Sequence, residues 1–204
     1  MCLDDRERKF IVGDHLGRMY VFDYLSGALM KTFQYPTDPF VNGDRAHNDE
    51  VRTMCYVDEF KSVVSVSWDK SVAIHDERGA ERGLLLRRIA NADRGDITCM
   101  DMSRNLSLIL TGSSTSVIHL WDYEFVRIET KCDAQSDGIT TAIFMDPYPC
   151  FLSADQKGNI CMWGTRPNIQ LNGACLYKFK NLVEGSTTKT IPVTVMALKL
   201  TYVE

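Results

Sequence analysis

His47, Asp69 and His75, with Ser65 and Ser67 between them, are the residues of this 204-residue chain whose types could do chemistry. Imidazole takes or gives a proton near neutrality, and imidazole and carboxylate are both ordinary zinc ligands, so the group could hold a metal or act as a proton relay. Two His and one Asp nevertheless define no open coordination position, and no acid, base and nucleophile converge on a common point. His119 lies between Ile118 and Leu120, where strand alternation turns it away from their side, and His15 lies in a polar turn. The sequence contains no GxSxG, HExxH, GxGxxG or phosphate-loop lysine motif. A chain without catalysis, cofactor or metal is expected.

Cys2, Cys55, Cys99, Cys132, Cys150, Cys161 and Cys175 form an odd set without a CxxC pair, and most sit in apolar runs. They read as buried, reduced thiols and favour a cytoplasmic location. The 23 basic and 27 acidic residues give a net charge of -4, mixed along the chain. That balance supplies no concentrated basic patch, so nucleic acid is not an expected partner. No apolar stretch reaches the ~18 residues of a membrane span, and no leader follows Met1, so no membrane partner is expected either.

The elements that must position these residues repeat along the chain. Short β-branched runs end in an aromatic or His followed by Asp or Gly at Phe22-Asp23, His75-Asp76, Trp121-Asp122 and Trp163-Gly164. Their starts at 22, 75, 121 and 163 give intervals of 53, 46 and 42, at or above the ~40–45-residue period of a four-stranded propeller blade. Each unit holds an apolar first strand (Val51 to Val57, Ile97 to Met102, Ile139 to Phe144) and a second (Ser62 to Ser67, Leu108 to Ser113, Cys150 to Ala154). A small or polar turn follows: Asp14 to Gly17, Trp68 to Ser71, Ser113 to Ser116 and Asp155 to Gly158. The third strand carries the aromatic pair, and a fourth closes the unit at Ala28 to Phe33, Leu84 to Ile89, Val126 to Lys131 and Cys175 to Phe179. Short strands punctuated by turns predict an all-β chain, and no window supports a long amphipathic helix.

The run Leu110-Thr111-Gly112-Ser113-Ser114-Thr115-Ser116-Val117-Ile118-His119-Leu120-Trp121-Asp122, with Ala46-His47-Asn48-Asp49-Glu50-Val51, resembles the WD-repeat β-propeller family. The resemblance implies a partial ring of four-stranded antiparallel blades: residues 1–38, 39–90, 91–133 and 134–180, with 181–204 a connecting loop and the first strand of a further blade (Ile191 to Leu200). Both ends fall within a repeat, so a piece of a longer ring is expected. Its open edges would favour self-association. The resemblance also implies a blade-pinning set of His, Ser or Thr, Asp and Trp. In blade two these positions fall on His47, Ser65 or Ser67, and Asp69, with His75 in the Trp position. Blade three offers Trp121 with Asp122, and Thr111; blade four offers Trp163, Ser153 and, in place of His, Gln135. Blade one has only Phe22.

Propellers of this family mostly bind proteins or peptides through blade turns and rims. The candidate contact residues are therefore His15, Trp68, Lys70, Arg94, Gln135 and Lys157, with Trp68 foremost because an aromatic beside a turn can anchor an interface. The stretches Gly13 to Arg18, Gly27 to Lys31, Ser103 to Leu108 and Asp146 to Pro149 resemble long WD-repeat proteins of protists and ciliated cells, some of them EF-hand-bearing. A non-catalytic scaffold in a cytoskeletal or ciliary assembly is the resulting expectation. The alternative is a peptide- or substrate-reading adaptor in a ubiquitin-ligase or chromatin complex.

Overall fold

The computed structural model describes residues 1–4, 6–41, 43–79, 82–123, 127–128 (backbone only), 135–165, 175–181, 190–194 and 196. Among them there is no α-helix, only a 3-10 turn at Asp58–Phe60. The chain divides into two compact units, Met1–Thr98 and Cys99–Glu204, and each is treated by itself.

The first unit holds β1 (Cys2–Leu3), β2 (Lys9–Gly13), β3 (Met19–Asp23) and β4 (Leu29–Phe33), then β5 (Val51–Val57), β6 (Ser62–Ser67), β7 (Val72–Asp76) and β8 (Arg82–Ile89). Both sets of four are antiparallel, as the repeat predicts. They are not separate sheets, however. β4 pairs with β8 in parallel, Thr32 beside Arg82 and Phe33 beside Gly83, giving one eight-stranded sheet in the order β1-β2-β3-β4-β8-β7-β6-β5. Glycine is needed at this joint, since a Cβ on Gly83 would lie 2.1 Å from Cδ1 of Phe33. The second unit opens within β9 (Ile97–Ser103), followed by β10 (Leu108–Ser113), β11 (Ile118–Asp122) and β12 (Arg127–Ile128). β13 (Ile139–Phe144), β14 (Cys150–Asp155), β15 (Asn159–Gly164) and β16 (Cys175–Lys180) form its other sheet. The rest of the strand expected at Val126 to Lys131, and Cys132, lie outside the described residues.

The turns between second and third strands share one geometry. Each ends on a left-handed residue: Gly17 (φ 79°), Lys70 (66°), Ser116 (65°) and Gly158 (75°). Each also begins on an Asp or Ser whose side-chain oxygen accepts a backbone N–H two residues on: Asp14 from Leu16, Ser67 from Asp69, Ser113 from Thr115 and Asp155 from Lys157. A short polar side chain that caps its own turn explains this choice of residue. The blade-two turn thus begins at Ser67, one residue ahead of the stretch read from sequence. The left-handed residue then offers its carbonyl to the segment that follows: Gly17 O accepts from Ala46 and His47, Lys70 O from Ala92 and Gly158 O from Asn181. Of the segment read as a further strand, Ile191 donates its backbone N–H to Asn181 O at 2.9 Å and Thr140 donates its hydroxyl to Val193 O.

Two β-bulges recur as well. In the fourth strand, Met30, Leu86 and Leu176 have no Cα partner opposite Val21/Phe22, Ile74/His75 and Met162/Trp163. In the first strand, Arg52 and Thr140 are the extra residues. A bulge inserts one residue and so inverts the facing of all that follow. Leu86 and Arg87 accordingly both face solvent, and Arg88 turns inward.

The core of the first unit gathers Ile11, Met19, Val21, Phe33, Met54, Tyr56 and Val63; that of the second gathers Leu110, Ile118, Leu120, Phe144, Phe151, Cys161 and Trp163. A buried ion group also braces the first unit. Glu77 lies 2.8 Å from both Lys9 Nζ and Lys31 Nζ, and Lys31 donates to Glu77 O and Gly79 O at 2.6 Å. Lys31→Met is expected to destabilise by about 1–3 kcal/mol, less than for a lone buried pair because Lys9 remains; Lys31→Met with Glu77→Leu should recover much of that loss. Denaturant titration of the two variants checks it.

Candidate functional site

The structure brings His47, Ser65, Asp69 and His75 into one buried chain of hydrogen bonds in blade two. β6 supplies Ser65 and β7 supplies His75, while His47 lies in the segment held by the Gly17 carbonyl. His47 Nε2 lies 2.7 Å from Ser65 Oγ, which lies 2.6 Å from His75 Nε2. His47 Nδ1 lies 2.7 Å from Ser71 Oγ, and Ser71 donates to Asp69 Oδ1 at 2.6 Å. Ser67 is outside this chain: its hydroxyl donates to Asp49 O at 3.0 Å and accepts from Asp69 N.

Four members of the set, Tyr35, Ser71, Arg88 and Asp38, were not legible as such. Tyr35 OH meets His75 Nδ1 at 2.6 Å and its ring stacks on the imidazole. Ser71 is the link between His47 and Asp69. Arg88 donates to Ser71 Oγ at 3.2 Å and to Ala46 O at 2.6 Å, and its Nε donates to Asp38 Oδ2 at 2.8 Å. Only the Asp69-Lys70-Ser71 spacing carried a signal, since an Asx turn offers its carboxylate two residues on.

Burial sets the electrostatics here. It pushes the His47 imidazole below its ordinary value against the opposing pull of Asp69, and holds His75 well below, helped by the charges of His47 and Arg88. Burial also pushes the Tyr35 phenol up. Burial opposes ionisation of Asp69, yet hydrogen bonds from His47, Ser71 and Asn48 hold its carboxyl below the usual range. Every nitrogen of both rings is occupied, so the arrangement leaves no face for a metal or substrate. No group of His, Cys, Asp and Glu suited to a metal occurs among the described residues.

Blades three and four use indole where blade two uses imidazole. Trp121 Nε1 donates to Thr111 Oγ1 at 2.9 Å, and Trp163 Nε1 donates to Ser153 Oγ at 2.8 Å. Ser153 donates to Gln135 Oε1 at 2.5 Å, and Gln135 Nε2 donates to Asn159 O at 3.1 Å. Gln135, expected also as a contact residue, is only 4% exposed; its amide is consumed inside the blade, which removes it from the contact surface. Asp122 sits half-buried opposite Leu108, and His119 is buried against Trp121, edge to face at 5.6 Å. Phe22 in blade one stacks on Phe10 at 5.2 Å.

The remaining contact candidates lie on the surface. Trp68 is 39% exposed, with the Arg52 guanidinium 5.1 Å above its ring. The bulge at Arg52 aims that side chain at the turn, and Glu50 fixes it at 3.0 Å. Lys70 Nζ donates to Arg94 O at 2.9 Å, and Arg94 itself is exposed. Lys157 is exposed and paired with Asp137 at 2.5 Å, while His15 is exposed in its turn. The six described cysteines are free thiols, and burial, with Cys175 alongside, pushes Cys161 up to about 12, which keeps it from acting as a nucleophile near neutrality.

Residues 85–122 match the family model described as "WD domain, G-beta repeat", a span that ends on Trp121-Asp122. No curated protein matches the chain. Among solved structures it is similar to the computationally designed Ika8 protein, with a TM-score of 0.64 and 17% identity over 84% of this chain and 46% of that one. The chain thus spans about half the length of that structure, and at this identity the likeness concerns the fold alone. With the antiparallel four-stranded units described above, the WD40 repeat makes the fold a partial β-propeller.

Proposed function

We propose, from the WD40 repeat this chain carries, that it is a non-catalytic module binding other proteins or peptides through the turn that presents Trp68. WD40 repeats are in general protein-interaction modules. The observation that carries the reading is the exposed indole held under Arg52, with Lys70 in the same blade and Arg94, whose carbonyl Lys70 bonds, in the segment that follows. An aromatic pre-ordered by a cation loses little conformational freedom on binding, which is what an interface anchor requires. The setting we propose is a cytoplasmic, cytoskeletal or ciliary assembly, supported by the resemblance of Gly13 to Arg18 and Ser103 to Leu108 noted above. Proximity labelling of the full-length protein tests it: cytoskeletal neighbours support this setting, and ubiquitin-ligase or chromatin neighbours replace it with the adaptor reading. Self-association through open blade edges belongs to the same proposal, and a monodisperse monomer in light scattering sinks that part.

Trp68→Ala should weaken capture of those neighbours at least about 30-fold while changing stability by roughly 0.5 kcal/mol or less, as for other surface positions. Unchanged capture by a folded Trp68→Ala protein removes this turn as the contact.

A further inference from the structure

The blade-two chain has only one self-consistent arrangement of protons. Asp69, a carboxylate, accepts the Ser71 hydroxyl proton, so Ser71 Oγ must accept from His47 Nδ1–H. The Nε2 of a neutral His47 then carries no proton and accepts from Ser65. Ser65 Oγ in turn accepts from His75 Nε2–H, which leaves His75 Nδ1 to accept from the Tyr35 phenol. Five links run one way, and both imidazoles must be neutral.

We infer that this chain is a lock with a single proton state, which mild acid opens from within blade two. A proton on His47 sets Nε2–H against the Ser65 hydroxyl, and a proton on His75 sets Nδ1–H against the Tyr35 hydroxyl. In either case the facing hydroxyl must turn its own proton away and accept instead, and the hydrogen bond it had donated to the ring is lost.

The surroundings do not rescue the cation. His75 faces Tyr35, the Phe33 ring at 5.3 Å, Ser65 and the His47 ring at 5.9 Å. Arg88 from β8 approaches to 3.5 Å from His47 Nδ1, and Asp38, the carboxylate opposing its charge, is already paired with Arg88. Asp69 is the acid in contact with His47, with Asp38 acting from farther away, and Ser71 and Asn48 already occupy Asp69. Burial depresses both imidazoles. In blades three and four Trp121 and Trp163 fill the same role with indoles, which do not titrate, so this sensitivity is confined to blade two.

A depressed imidazole means that the unfolded chain binds more protons once pH falls below about 6.5. The stability is intact above that value and is lost as pH falls toward the folded-state value. For two such groups the unfolding equilibrium constant should rise by up to roughly 70-fold between about pH 7 and pH 5.5, the limit reached when neither folded ring takes a proton. Denaturant titration of the whole chain at both pH values reads it directly. His75→Trp, which installs the donor of blades three and four, should cut the rise to at most about 8-fold, because one of the two groups is gone. A full 70-fold rise in His75→Trp, or a wild-type rise under about 3-fold, overturns the inference. Should that variant not fold, the wild-type protein still decides by long-range proton–nitrogen NMR of its imidazoles at neutral pH. Nδ1–H on His47 with Nε2–H on His75 supports the lock, and any other tautomer or an imidazolium at either ring refutes it.

Discussion

Trp163→Ala is expected to cost about 3–5 kcal/mol, the largest loss for a single side chain among the described residues of the second unit. The indole is 1% exposed, stacks on Phe151 at 6.2 Å and packs among Leu120, Phe144 and Cys161. Alanine would leave a cavity that β-sheet neighbours on both sides cannot collapse, because the ladder fixes their backbones. The loss also has a polar part. Trp163 donates to Ser153, which is locked to Gln135, so deleting the indole strips one partner from a buried hydroxyl. Trp163→Phe separates the two: it keeps most of the ring and should cost about 1–2 kcal/mol. Unfolding followed by circular dichroism gives both numbers. An alanine variant less than about 1.5 kcal/mol weaker than wild type would show that this packing does not govern the unit's stability.

Ser65→Ala is the second, with an expected loss of about 2–5 kcal/mol from a change of one oxygen atom. Ser65 Oγ is the point where the two halves of the blade-two chain meet, 2.7 Å from one imidazole and 2.6 Å from the other. Its removal leaves a bare acceptor on His47 and an unpaired N–H on His75, both in rings with no exposed surface. Each such buried group costs about 1–3 kcal/mol, far more than a Ser→Ala change on the surface. Ser67→Ala is the built-in comparison. Ser67 is equally buried, but it caps a turn and bonds only backbone groups, so about 1 kcal/mol is expected. Equal losses for the two serines would mean that the chain through Ser65 adds nothing beyond ordinary hydrogen bonding.

His47, Asp69 and His75 stood out in the sequence because they fall at fixed places in a repeat, and position in a repeat is a statement about backbone register. Tyr35 and Arg88 have no such place. Tyr35 lies beyond a strand end, in a segment without periodicity, and its partner is 40 residues away. Arg88 was hidden for a different reason. Strict alternation puts it on the same face as Leu84 and Leu86, both exposed, and only the bulge at Leu86 turns it inward. A one-residue insertion of that kind leaves no mark on composition. Gln135 shows the converse: a polar residue before a first strand reads equally well as a surface contact or a buried partner, and its 4% exposure settles the matter.

The sequence by itself determined the strands, their antiparallel order within each four-stranded repeat and the turns between second and third strands. These are local consequences of alternation and of small side chains that cap their own backbone. The tertiary structure decided how outer strands meet, since the parallel pairing of Phe33 with Gly83 joins residues 50 apart and needs the hole that a missing Cβ leaves. It also decided the direction of the hydrogen bonds between His47 and His75. A chain of donors and acceptors has no sense until its ends are fixed, and those ends, Asp69 in blade two and Tyr35 in the stretch read as blade one, are joined to it only by tertiary contacts.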